Sequence, residues 1–321
     1  MKKAIVWLVA GCVFMMPLTA GAATMRDQIE ELYGSMPQVF PDMAPGHANF
    51  ISVNFLYEDE VIGGYPDGTF KPDGQINRAE LMKMVVGMFW NDPTDADLLN
   101  YQGCFPDVGN EWFAYYVCLG KDKGWIQGYP DGTFKPGNNV NRVEAIKIVL
   151  GVMIEDSLWP VPTDEEMNLP MPVDAEAGSW YSPYLRFGIV KELLDGEHVT
   201  GDENAYYYGP GAPMARKEVA EMIYRVWMYM SERVEYAEII VEAACFYLDH
   251  PDMNDVDLTA LWEEELLNPV GYSLEDTDRL AAKFAGDDVL DELIAEGTKS
   301  ECGDGTAVDL SKWDGFKMYA R

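Results

Sequence analysis

Apolar residues recur at helical spacing in two stretches that open on the same cue. Leu81, Met82, Val85, Val86 and Phe89 form one stripe, and Ala145, Ile146, Val149 and Val152 form another; each spacing predicts a helix with one buried face. Asn77 and Asn141 stand just ahead as N-caps, and Glu80 and Glu144 three residues later complete capping-box patterns. Ile76 is placed to staple onto Leu81 across the first cap. A shorter helix is predicted upstream of the second stripe from Trp112-Phe113, Tyr116-Val117 and Leu119. Between the helices the pattern breaks at Tyr65-Pro66-Asp67-Gly68 and Tyr129-Pro130-Asp131-Gly132. Proline presets the second position of such a turn, and glycine accepts left-handed backbone at the fourth. The unit is a helix, a turn-rich loop and a second helix.

The similarity of the two stretches is that of a repeat. Gly64 to Pro72 recurs letter for letter as Gly128 to Pro136, at a constant offset of 64 residues. Ile76-Asn77-Arg78-Ala79-Glu80 continues as Val140-Asn141-Arg142-Val143-Glu144, and Phe40-Pro41-Asp42 returns as Phe105-Pro106-Asp107. A third, worn copy runs from Val173-Asp174 through Trp180-Tyr181 to Met214-Ala215-Arg216-Lys217-Glu218. These copies set the expected boundaries at 40–90, 104–153 and 172–227, with linkers at 91–103 and at the Pro-rich, acidic 155–172. Residues 229–321 keep helical periodicity without the repeat, in Ile239–Leu248, Leu258–Leu267, Leu280–Phe284 and Val289–Ile294, and predict a small helical C-terminal domain.

The start of the chain has its own pattern. Met1-Lys2-Lys3, an apolar run to Leu18 and small residues to Ala23 follow the order of a Sec signal peptide, cleaved after Ala22 or Ala23. Val9-Ala10-Gly11-Cys12 also resembles a lipoprotein processing box, the less favoured alternative because the apolar core before Cys12 is very short. No later stretch is long and apolar enough for a membrane helix. Cleavage would remove two lysines and no acids, taking the formal charge from −32 to −34. Nucleic acid is thereby excluded as a partner, since its phosphates demand clustered Lys and Arg. Four cysteines remain, and in an oxidising compartment two disulfides are expected. Pairing by proximity joins Cys104 to Cys118 and Cys245 to Cys302.

Most repeat residues are explained by folding, but the arginines are not. Arg78, Arg142 and Arg216 each occupy the first turn of a helix, where the macrodipole disfavours a cation by a few tenths to about 1 kcal/mol. Repeating that choice three times asks for a compensating partner. It is either an internal carboxylate such as Asp42 or Asp107, or an anionic or hydroxyl-rich ligand in a groove. Trp112 and Trp180 stand in equivalent places ahead of Arg142 and Arg216; each is core, or a platform on which a sugar ring stacks.

Phe105-Pro106-Asp107-Val108, Trp112, Gly128-Tyr129-Pro130-Asp131-Gly132-Thr133-Phe134 and Asn141-Arg142-Val143-Glu144 together resemble the S-layer homology (SLH) family. The resemblance covers residues 40 to 227. It implies a mainly α fold, a pseudo-threefold bundle of three SLH-like helix-loop-helix repeats with grooves between neighbours. In the family such grooves bind wall polysaccharide, often through a pyruvylated amino sugar. Carried over by position, the ligand contacts are Arg78, Arg142 and Arg216 with Trp112 and Trp180, flanked by Lys71 and Lys135 of the turn phrases. The departures are Ala48 at the tryptophan position of the first repeat, and in the third the missing Pro-Asp-Gly turn and Ala215 in place of the capping asparagine. The expected function is non-catalytic anchoring to a cell-wall polysaccharide or peptidoglycan-linked glycan at the cell surface, with no cofactor and with self-association open to the tail. The alternatives are a wall-acting carboxylate hydrolase tethered by the repeats, and a structural surface-array protein. His47, His198 and His250 form no catalytic or zinc pattern. Asp249, Asp252, Asp255 and Asp257 lack the order of a calcium loop.

Overall fold

Ile76, Val140 and Met214, each the residue before a helix cap, join in a closed ring. The N–H of Ile76 donates to Met214 O (3.1 Å), that of Met214 to Val140 O (3.0 Å) and that of Val140 to Ile76 O (3.0 Å). All three side chains are buried at the centre. The structure, a computed structural model, describes residues 25–90, 93–154, 171–194, 197–199, 202–249, 264, 267 and 273–283. The expected signal segment, with Cys12, lies outside them, as do Cys302, His250, Asp252, Asp255 and Asp257.

The described elements are mainly helical: α1 (Met25–Gly34), α2 (Phe50–Glu58), α3 (Arg78–Phe89), α4 (Asp95–Asn100), α5 (Ala114–Asp122), α6 (Arg142–Ile154), α7 (Ser182–Val190), α8 (Arg216–Asp249) and α9 (Leu274–Lys283). A two-stranded antiparallel ribbon, β1 (Glu197–Val199) and β2 (Asp202–Tyr207), precedes α8. It stands where the first two repeats have the Pro-Asp-Gly turn. The segment read as a linker, 91–103, contains α4, whose Thr94 and Asp97 form a complete capping box.

The chain divides into two compact units, one of Pro37–Trp227 with Gly315–Arg321, the other of Met1–Met36 with Met228–Asp314. In the repeat-bearing unit α3, α6 and the start of α8 begin at the ring. An α-helix leaves its first N–H groups without intrahelical partners, and here the adjoining repeat supplies acceptors. Arg78 and Ala79 donate to Asn138 O and Pro136 O (both 3.0 Å); Arg142 and Val143 to Ala212 O (3.0 Å) and Pro210 O (3.3 Å); Arg216 and Lys217 to Gly74 O (2.9 Å) and Pro72 O (3.0 Å). Asn77 and Asn141 cap as expected, each accepting from its glutamate N–H at 2.9 Å. Ala215 has no side chain to cap with, but its N–H donates to Glu218 at 2.8 Å.

Packing also passes from one repeat to the next. α3 packs on α5, and α6 on α7; α8 returns to α2, where Phe55 meets Tyr224 and Trp227 with ring centroids 5.2 and 4.6 Å apart. Gly120 on α5 permits the first of these approaches, since an added Cβ would lie 2.4 Å from Met82 Cε. Cys104 and Cys118 form the expected disulfide, a loop closure worth about 3 kcal/mol. It ties the start of the second repeat to α5.

In the other unit Glu232 is buried and accepts from Arg26 Nε at 2.6 Å and from Lys283 Nζ. Burial pushes its carboxyl up, but the bond from Arg26 and the charges of Lys283 and Arg26 outweigh it and hold the group below the usual carboxylate range. Cys245 is disulfide-bonded. Among the described residues no helix is long and apolar enough to cross a membrane.

Candidate functional site

The three arginines reach across repeat boundaries. Arg78 Nε donates to Phe134 O at 2.9 Å, and its guanidinium lies 3.7 Å from Glu144 and over the rings of Tyr129 and Phe134 at 4.7 and 4.6 Å. Arg216 repeats the arrangement one step round the ring: Nε to Phe70 O at 3.0 Å, Glu80 at 3.7 Å, the rings of Tyr65 and Phe70 at 4.8 and 5.1 Å. Arg142 pairs with Glu218 at 2.6 Å over Tyr208 at 4.7 Å, and its buried Nε has no acceptor among the described residues. Each guanidinium therefore meets the capping-box glutamate of the following repeat, which offsets the cost of a cation at a helix start.

Asp42 and Asp107, the internal carboxylates expected as partners, do something else. Asp42 accepts the N–H groups of Phe70 and Lys71 at 2.9 and 2.7 Å, Asp107 those of Phe134 and Lys135 at 2.9 and 2.7 Å, and Asp174 those of Tyr208 and Gly209 at 2.9 and 2.7 Å. They fasten the end of each loop to the start of its own repeat. The fastened residue is left-handed in all three copies: Lys71 at φ 57°, Lys135 at 59° and Gly209 at 69°. Lys71 and Lys135 fold back over their turns, 3.2 Å from Asp67 and 2.9 Å from Asp131, above the rings of Tyr65 and Tyr129. Hydrogen bonds from Thr69 to Asp67 and from Thr133 to Asp131 hold both carboxyls low, Asp67 at about 2.

A groove of about 280 Å³ opens between the repeats. The loop Val61 to Tyr65 and Glu80, Lys83 and Met84 of α3 form one side, Trp112 of the second repeat and Arg216 of the third the others. Trp112 is 59 % exposed and Trp180 55 %, so neither is core. The groove brings Trp112 to Arg216, not to the arginine of its own repeat. Lys83, absent from the sequence reading, has no carboxylate within ion-pairing distance among the described residues. A cation at the fifth place after the motif arginine, shared by Lys83 and Lys147, was the available signal. Tyr129, at the corresponding place to Tyr65, gives its hydroxyl to Glu144 at 2.6 Å; burial and that bond push its pKa up to about 12.

The repeats close into a ring with a solvent-open groove at one boundary, and two of the repeats can be placed. Residues 39–82 and 105–146 match the S-layer homology domain. Cell surface glycoprotein 1 of Acetivibrio thermocellus is 32 % identical over 129 residues, 37 % of this chain and 6 % of that protein. The cellulosome-anchoring protein of the same organism is 30 % identical over 110 residues, 34 % of this chain and 25 % of that protein. An uncharacterised cell wall amidase of Bacillus anthracis is 31 % identical over 102 residues, 31 % of this chain and 18 % of that protein. The chain thus spans a quarter or less of the length of each, and what is shared is a module.

Proposed function

We propose that the repeats fasten this chain, without catalysis, to a polysaccharide of a bacterial cell envelope after Sec export. The carrying observation is the groove in which Trp112, Arg216 and Lys83 converge. An indole more than half exposed offers a face on which a sugar ring stacks, and the two cations beside it suit hydroxyl or carboxylate groups. In a chain of formal charge −32 an unpaired ammonium at such a place is a local exception to a repulsive background. Anchoring also accords with the names of the relatives, and the disulfide with an oxidising compartment. The third repeat is included because Asp174, Tyr208, Arg216 and Glu218 reproduce the contacts of the first two. On this reading the other unit is cargo or a further interaction domain.

The test is co-sedimentation of the full chain with purified wall sacculi, before and after their secondary polysaccharide is stripped. Retention is expected only on unstripped walls. Trp112→Ala should weaken it by about threefold to tenfold while leaving the melting temperature in place, since the ring is exposed. Equal retention on stripped walls, or release of soluble fragments from peptidoglycan, would overturn the proposal.

A further inference from the structure

Trp112 owes its place to backbone rather than to packing. Its ring is 59 % exposed and meets Phe113 edge-on, with centroids 5.4 Å apart, so no core closes around it. It stands in the loop between Phe105 and α5, and whatever fixes that loop fixes the aromatic side of the groove.

The loop is held at its ends and across its middle. The Cys104–Cys118 bridge closes it, joining residues 14 apart in sequence with Trp112 between them. Cys118 is buried on α5, and Lys121 of the same helix donates to Cys104 O and lies over the Phe105 ring at 4.1 Å. Gly103 N–H donates to Gly109 O at 3.1 Å, Val108 N–H to Phe105 O at 3.0 Å and Gly109 N–H to Glu111 Oε2 at 2.7 Å. Glu111, the residue before the tryptophan, also accepts the Ala114 N–H at its carbonyl, 2.9 Å away.

The other repeats treat the same place differently. Cys118 is the fifth residue of α5; the fifth of α2 is Asn54 and the fifth of α7 is Arg186. The first repeat, with Ala48 in the tryptophan position, has no indole to place. The third, with Trp180, braces its loop by hydroxyls: Ser179 and Ser182 Oγ both donate to Glu176 O, at 2.8 and 3.0 Å, and Tyr181 OH accepts the Glu176 N–H at 3.2 Å. Each exposed indole thus stands in a cross-braced loop, and of the three repeats only that of Trp112 contains cysteines.

We infer that the Cys104–Cys118 bridge and Glu111 are positioning elements for Trp112. They hold the indole in its bound arrangement before a ligand arrives, so that ordering the loop takes nothing from the stacking. This rests on the anchoring proposal and adds to it the residues that set how well the aromatic side of the groove works.

A double-mutant cycle on wall retention of the full chain separates positioning from stability. Cys104→Ala with Cys118→Ala, assayed at a temperature where circular dichroism shows it folded, should weaken retention by about threefold. Glu111→Ala, a change at an exposed side chain, should act in the same direction by a smaller factor. In a Trp112→Ala background neither should weaken retention further, since the ring they place is gone. Hydrogen exchange should rise over 105–114 in both variants and stay unchanged over 172–182, the corresponding loop of the third repeat. A loss that persists undiminished without the indole would make the bridge a stabiliser alone, and full retention of both variants would detach it from the groove. Either result overturns this inference and leaves anchoring standing. Should the cysteine variant not fold, the cycle with Glu111→Ala decides. Failure of the unaltered chain to sediment with walls would remove both readings.

Discussion

The first two repeats and the third reach the same backbone contacts by different routes. In the first two, the loop is the nine-residue phrase Gly64 to Pro72 or Gly128 to Pro136. Its first glycine is left-handed and lies so close to a ring that a Cβ would meet Phe40 at 2.4 Å or Phe105 at 2.6 Å. In the third repeat that phrase is gone and a β-ribbon covers the span, yet Asp174 still grips Tyr208 and Gly209 as Asp42 and Asp107 grip their partners. The difference separates what the fold requires from what it tolerates. The acceptor aspartate, the left-handed residue after the aromatic and the boundary arginine persist; the turn between them is replaceable.

Arginine substitutions test that separation with the largest expected effect. Arg78 is 5 % exposed and bonded to a backbone carbonyl, so Arg78→Ala leaves Phe134 O without its donor, removes the cation beside Glu144 and should destabilise by about 3 kcal/mol. Arg142, with a side chain 21 % exposed and no acceptor at Nε, should cost about 1 kcal/mol when replaced by alanine. Urea denaturation of the two variants checks this; equal losses would mean that the boundaries are energetically alike.

A smaller change should repair the worn copy. Ala215→Asn would give α8 the side-chain acceptor that Asn77 and Asn141 give α3 and α6, completing the box with Glu218. A gain of about 1 kcal/mol is expected, read as a raised melting temperature.

The smallest effect is a dependence on alkaline pH. Tyr129 is raised from its ordinary value of 10 to about 12, by burial and by its bond to Glu144. A raised folded-state value means that this contribution is complete below pH 10 and is lost as pH climbs through 12. The stability gap between the unaltered chain and Tyr129→Phe should therefore shrink between pH 10 and 12; a constant gap would mean that the Glu144 bond contributes nothing.

Local features were legible in the sequence. Both capping boxes and the helices they open could be read, because their signals lie within a few residues of one another. So could the Cys104–Cys118 bridge, which spans a short loop. What stayed hidden is contact that crosses from repeat to repeat. Periodicity showed that α3 has an apolar face but not that α5 covers it, and it placed Trp112 ahead of Arg142 when the groove joins it to Arg216. Asp42 and Asp107 looked like arginine partners because their backbone clients lie 28 and 27 residues away, beyond any local pattern. Thr94 and Asp97 carried a legible cap, overshadowed by the loop-like composition around them.

The ring of Ile76, Val140 and Met214 has a consequence for how this chain comes together. In an open solenoid each module rests only on its neighbours and growth can stop at any number. Here one link joins residues far apart in the chain, Ile76 and Met214, and contacts of such long range slow assembly because loop entropy is lost before they form. A polypeptide delivered N-terminus first would thus wait, unclosed, until its third copy arrives, and a fourth would find no vacancy.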